Sequence, residues 1–345
     1  MKRSSTLAVF VVTLSLFLAG CGGGPVQNGL VDPFIGGTEG VVMSFMEQAP
    51  PTEIFDNGDT TFVISVKVQN NGESDVGPDA MIPPDNNWAE IEIQGINPLQ
   101  FGSPQTVRTL SEEGVSLTRM RKNFDGSLIA GTPDVITFDN FQYLPDNVGN
   151  NQVMIRANIC YDYTTFTNTQ VCLKSNTLET VRDNSICTLA GPRDVKNSGA
   201  PVHVTTVSQA PLGKNKIQLT FTIENVGSGT IFAPSDRPVG STGSLFGRHC
   251  DQSQQNQNRN QVYVRVVLND EQSTGLISCN RLSRGNEGIV QLFGGQPTVL
   301  TCTLETPEGI GSQAYTDLLR IDLDYAYSQY IETPVLIRDV SSGLQ

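Results

Sequence analysis

The sequence predicts an all-β chain made of two tandem β-sandwich units. Three observations predict it: short runs in which apolar and polar residues alternate, a pattern of such runs written twice in the chain, and turn-forming dipeptides between the runs. Period two is the mark of a strand with one buried face. Charged residues make up only 17% of the chain while Gly, Pro, Asn, Gln, Ser and Thr are plentiful, the balance of a loop-rich β protein rather than a helical one.

At the start of the chain, Lys2 and Arg3 precede an apolar run from Leu7 to Ala19. A charged start followed by a short apolar stretch is expected of a secretory signal, and the run is too short to span a bilayer comfortably. It ends in Leu18-Ala19-Gly20-Cys21, which resembles the lipobox of bacterial and some archaeal lipoproteins. The resemblance implies cleavage before Cys21 and lipid on its thiol. Residues 1–20 are then a signal peptide, and the lipid bilayer is a partner through Cys21. Residues 21–36, which open with Gly22-Gly23-Gly24-Pro25, are expected to be a flexible tether.

Beyond the tether the chain aligns with itself. Val135 to Ser175 lies without a gap on Val299 to Asp339: Arg156 meets Arg320, Tyr161 meets Tyr325, Tyr163 meets Tyr327, Thr169 meets Thr333 and Val171 meets Val335. Upstream, the run from Phe62 to Gly72 matches Ile217 to Gly227, and Gln48-Ala49-Pro50 recurs as Gln209-Ala210-Pro211. These matches place one unit at 37–178 and the other at 199–340, joined by a polar linker at 179–198.

Within the units, Phe62, Ile64, Val66 and Val68 alternate with polar neighbours, as do Ala89, Ile91 and Ile93, then Val262, Val264, Val266 and Leu268, then Ile321, Leu323, Tyr325 and Tyr327. Strands at this spacing with Asn-Gly, Pro-Asp and Gly-rich turns indicate a sandwich. Arg156 to Tyr163 followed by Gln170 to Lys174 reads as a closing hairpin of an immunoglobulin-like domain, with Tyr-x-Tyr near the place of a tyrosine corner. The strands that end in Asn70-Asn71-Gly72 and Asn225-Val226-Gly227 resemble the CARDB-type immunoglobulin-like modules of bacterial and archaeal surface proteins. That resemblance implies a role in surface adhesion, assembly or presentation.

With Cys21 assigned to lipid, six of the seven cysteines remain. An even number in an exported chain points to disulfides, and no Cys-x-x-Cys pair suggests zinc. Cys160 and Cys172 fall out of phase with the flanking apolar residues and are expected to bridge the closing hairpin. Cys279 is expected to pair with Cys302, leaving Cys187 and Cys250 to pair across the linker or to stay free. A bridge from Cys172 to Cys187 is the alternative.

The net charge of -13 disfavours nucleic acid and anionic surfaces as partners for the body of the chain. His203 and His249 are the near-neutral bases, and neither lies in a nucleophile, phosphate or metal motif. Catalytic residues and cofactors are therefore not expected, and Glu90 with Glu92 reads as the wet face of a strand. Asp56-Asn57-Gly58-Asp59 and Asp85-Asn86-Asn87 put oxygens on loops, so Asp56 and Asp59 are weak calcium candidates. EF-hand spacing is missing, and turn chemistry accounts for Asp-Asn-Gly. A polar run from Gln252 to Gln261 reads as a loop. Its amides, on Gln252, Gln254, Gln255, Asn256, Gln257, Asn258 and Asn260, form a candidate contact surface because each both donates and accepts hydrogen bonds. Trp88 is expected to be packed.

The expected function is that of a non-enzymatic, membrane-anchored surface lipoprotein that adheres to, scaffolds or assembles with an envelope or surface protein. A polysaccharide- or solute-binding lipoprotein is the first alternative, and it needs a concave polar site with exposed aromatics. The base or a subunit of a surface filament, joined through strand edges, is the second.

Overall fold

The computed structural model describes residues 32–58, 60–78, 88–177, 186–234, 250, 258–268, 276–306 and 314–340. Cys21, Asp59, Asp85, His249, Gln252, Gln254, Gln255, Asn256 and Gln257 lie outside the described residues. The first half contributes β1 (Val41–Phe45), β2 (Glu53–Phe55), β3 (Phe62–Asn70), β4 (Ala89–Gln94), β5 (Val107–Thr109), β6 (Arg121–Lys122), β7 (Leu128–Ile129), β8 (Pro133–Phe141) and β9 (Asn151–Leu173). The rest contributes β10 (Gly191–Arg193), β11 (Val195–Asn197), β12 (Val202–Gly213), β13 (Lys216–Asn225), β14 (Thr230–Phe232), β15 (Gln261–Leu268), β16 (Ile277–Cys279), β17 (Glu287–Gln291), β18 (Thr298–Glu305) and β19 (Tyr315–Arg338). The molecule is all-β, as the alternation predicts: Ile64, Val66 and Val68 of β3 and Ile217, Leu219, Phe221 and Ile223 of β13 are all buried.

Three sheets hold the core. One has three strands in the order β1-β3-β8, and a second has five in the order β10-β12-β13-β18-β16. The third is a nine-stranded sheet whose main path is β17-β15-β19-β9-β4-β5. At its centre β9 and β19 pair antiparallel from Leu173 against Tyr315 to Asn151 against Ile337. Asp162 pairs with Ala326, and these two residues are also equivalent in the internal alignment. The two copies are therefore related by a pseudo-twofold axis that passes between them. The buried apolar residues of both halves form one contiguous cluster.

Each long strand begins among its own unit's strands and ends in the other's. The first part of β9 pairs with β4, from Arg156 against Gln94 to Tyr161 against Ala89. Its second part pairs with β11 at Thr167 to Thr169, Thr165 donates to the Val202 carbonyl at 2.7 Å, and the Gln209 amide exchanges two hydrogen bonds with the Cys172 backbone at 2.9 and 2.6 Å. The tail of β19 reciprocates. Leu336 to Arg338 pair in parallel with Glu53 to Phe55 of β2, and Arg338 forks onto Glu53 with bonds of 3.0 and 2.6 Å.

Three sequence expectations are corrected here. The closing hairpin from Arg156 to Lys174 does not exist, because β9 is one strand of 23 residues. The polar stretch Thr164 to Thr169 contains no Gly or Pro to turn the chain, and its β-branched threonines suit a strand. The Cys160–Cys172 bridge falls with the hairpin: at about 3.3 Å per residue the two cysteines lie roughly 40 Å apart on one strand, where a bridge needs α-carbons within about 7 Å. Cys160 pairs with Cys250 instead, with α-carbons 6.0 Å apart. Cys172 pairs with Cys187 at 5.7 Å, so Cys187 and Cys250 are neither joined to each other nor free. Cys279 and Cys302, register partners on β16 and β18, form the third bridge.

Candidate functional site

The repeated motifs meet at the centre of the molecule. Tyr161 and Tyr163 on β9 face Tyr327 and Tyr325 on β19, and the four rings form a closed circuit with centroid separations of 5.6, 6.0, 6.3 and 6.4 Å. Offset and edge-on contacts of this kind favour aromatic pairs. Each hydroxyl has a partner. Tyr161 accepts from the Val41 N–H at 3.0 Å, Tyr163 from the Ser74 N–H at 3.2 Å and Tyr327 from the Gly229 N–H at 2.5 Å. Tyr325 shares a hydrogen with Thr165 at 3.0 Å.

The Asn-x-Gly turns clasp these tyrosines. Asn70 donates to the carbonyls of Ser74 and Leu117 at 2.7 and 3.1 Å and accepts from Gly72 at 3.1 Å. A β-carbon at Gly72 would collide with the Tyr163 hydroxyl, and one at Gly227 with that of Tyr327. Glycine is required at both places for this close approach. Asn225 repeats the clasp by donating to the Gly229 carbonyl at 2.9 Å.

The opposite face of the β9–β19 pair is polar and also buried. Thr164 donates to Asp324 at 2.9 Å and Ser328 to Asn158 at 3.1 Å. Asp162, Asp322, Asp324 and Cys160 are all buried there. Burial raises the Asp322 carboxyl above its ordinary range, against the opposing pull of the Arg320 and Arg265 guanidiniums; Arg320 lies 3.1 Å from it. The Cys160–Cys250 bridge ties residue 250 to this face. The candidate contact run therefore leaves Cys250 at the middle of the central sheet and returns at Asn258, whose carbonyl accepts from Ala233 at 2.7 Å. Asn260 is fixed with a φ of 58°, bonded to Ile231 and Leu292. What the face offers chemically is a set of buried carboxylates and hydroxyls with the Arg320 guanidinium beside them.

Of the other sequence candidates, Asp56, His203 and Trp88 are among the described residues. Asp56 is buried, and its two oxygens accept from Asn147 and Val340 at 2.9 Å each, so it ties β2 to the ends of β9 and β19. Among the described residues no group of three or more His, Cys, Asp or Glu side chains could hold a metal ion. Burial lowers the pKa of His203, against backbone hydrogen bonds that raise it. Trp88 is half-buried beside β4.

The sequence reading passed over two features. The alternation of Ile321, Leu323, Tyr325 and Tyr327 with Asp322 and Asp324 predicts one buried face, whereas both faces are buried, because alternation alone does not reveal a second cover. The β6–β7 hairpin was missed because strands of two residues are too short for a periodic signal; Asp125-Gly126 at its turn was the available cue. No family model matches the chain, and no curated protein matches it. The three disulfides mark an oxidising, extracytoplasmic environment. Among the described residues no helix is long and apolar enough to cross a membrane.

Proposed function

We propose that the chain is a membrane-anchored, non-enzymatic surface lipoprotein, held by lipid on Cys21, whose immunoglobulin-like units act as an adhesion, scaffolding or assembly module for another envelope protein. The observation that carries this reading is the exchange of β9 and β19 between the units. A sheet shared across both copies gives a stiff body with no hinge at its centre, which suits a part that must hold a surface at a set distance from a membrane. The contact surface is the polar run that follows Cys250, rooted on the centre of that sheet by the Cys160–Cys250 bridge.

Extraction from the native membrane in mild detergent, followed by affinity purification and mass spectrometry, tests the proposal. A stoichiometric envelope protein that is lost when the run from Gln252 to Asn258 is replaced by Gly and Ser is the expected outcome. A solitary lipidated chain would overturn the assembly role and favour ligand binding.

A further inference from the structure

The β6–β7 hairpin stands apart from the packed sheets. Residues 121–130 are exposed without a break, and the rungs Arg121–Ile129 and Lys122–Leu128 make a two-stranded sheet of their own. The turn is well closed: Asn123 donates to the Ser127 carbonyl at 2.8 Å, and the Asp125 carboxylate accepts from the Ser127 N–H and hydroxyl at 2.9 and 2.6 Å. Phe124 at the tip is 114% exposed, Leu128 57% and Ile129 48%. A lone two-stranded hairpin is marginal in water, and grouped apolar side chains with no cover mark an interaction site.

The local basic charge of the hairpin, set against the net negative charge of the chain, and its position both point to a bilayer as the occupant. In a chain with 22 basic residues and a net charge of -13, Arg119, Arg121 and Lys122 fall within four positions. Arg121 and Lys122 are exposed beside the apolar strand, so their long stems can lie along lipid while their charged ends meet headgroups. The root of the hairpin also shares a turn with the first described residues. The Met120 N–H donates to the Gly72 carbonyl at 2.8 Å and the Arg119 backbone N–H to the Asp75 carboxylate at 2.8 Å. The Glu73 carboxylate in the same turn accepts from Ile35 and Gly36 at 3.0 and 2.9 Å. The chain leading back to Cys21 therefore meets the body at the hairpin's end. Residues 22–31 span at most about 35 Å, which keeps that end close to any membrane that holds Cys21.

We propose that the β6–β7 hairpin is a second membrane contact: Phe124, Leu128 and Ile129 enter the interfacial layer of a bilayer while Arg121 and Lys122 lie on anionic headgroups. Its orienting role rests on the anchored-lipoprotein reading, since a lipid on a flexible tether leaves the body free to tumble and a second contact fixes which end faces outward. The affinity for anionic lipid belongs to the hairpin itself.

The test uses the chain from Gly22 onward, which carries no lipid and contains every described residue, in sedimentation with phosphatidylcholine vesicles that contain or lack phosphatidylglycerol. Binding should require phosphatidylglycerol, weaken in high salt, and fall about tenfold or more both in Phe124→Ala and in the double variant Arg121→Ala, Lys122→Ala. Because these side chains lie outside the core, circular dichroism should be unchanged. Phe124→Trp should shift its emission to the blue on vesicles, a change the parent chain with Trp88 alone should not show. No vesicle binding, or equal binding by parent and variants, overturns the proposal, as does a hairpin-dependent cross-link to a protein in place of lipid. The intact mass of the native chain reads lipidation separately. An unlipidated native chain whose hairpin binds vesicles would remove the anchor and keep the hairpin site; a lipidated chain with an inert hairpin would do the reverse.

Discussion

Tyr161, Tyr163, Tyr325 and Tyr327 are the largest wholly buried side chains among the described residues. Burial is the main cause that raises all four phenols above their ordinary value of 10.0, since a tyrosinate there would lose its water. Below that value neither the folded nor the unfolded chain ionises them, and their contribution to stability is complete. As pH rises through it, only the unfolded chain releases the protons, so stability falls. In an alkaline titration these four of the eight tyrosines should ionise only as the chain unfolds, with tyrosinate absorbance and near-ultraviolet dichroism changing together. Ionisation of all eight in a chain that keeps its dichroism would contradict the buried circuit. Tyr161→Phe should cost about 1–3 kcal/mol in denaturant unfolding, because the Val41 N–H is left without its acceptor. The repeated Tyr-x-Tyr and Asn-x-Gly were legible in the sequence as aligned identities. That one closes on the other was not, because the contact joins residues such as Gly72 and Tyr163 that are far apart along the chain.

Among the elements, the long strands were the hardest to read. The alternation in β4 and β13 names their buried residues correctly, since each has one face toward the core, whereas β15 also buries Tyr263 and Val267 on its second face. In β9 the threonines from Thr164 to Thr169 look like a polar break, yet Thr165, Thr167 and Thr169 point inward and are buried, satisfied by Val202, Asn197 and Asp194. Hydrophobicity alone does not reveal a strand whose inward residues are hydrogen-bonded threonines. Disulfide connectivity followed the same error, since it depends on distances that only the unbroken strand sets. Peptide mapping without reduction should recover Cys160 with Cys250, Cys172 with Cys187 and Cys279 with Cys302; any peptide joining Cys160 to Cys172 would refute the single strand. Replacing both members by Ala should cost about 3 kcal/mol for the Cys172–Cys187 bridge and between about 4 and 5 kcal/mol for Cys160–Cys250, because the second closes a much longer loop in the unfolded chain.

For the molecule as a whole, the internal repeat shows that there are two copies and leaves open how they are joined. The residues that join them are the tails of β9 and β19, and each tail carries interactions with the opposite half: Thr165 with Val202, Cys172 with Gln209, Arg338 with Glu53 and Asp56 with Val340. Neither half can open without stripping a strand from the other, so the chain should unfold in one transition with coincident curves for tyrosine environment and backbone dichroism. Two separable transitions would mean that the crossed strands carry little energy. A protease site placed between 178 and 186 gives the sharper test. After cleavage the Cys160–Cys250 and Cys172–Cys187 bridges both still hold the pieces covalently, so both bonds must also be reduced before the halves are separated by size. They should elute together in native buffer and part only in denaturant, because the hydrogen-bond ladder from Asn151 to Leu173 on β19 survives both cuts. Halves that drift apart in native buffer would show that the linker and the two crossing disulfides, and not the exchanged strands, keep the two units in one body.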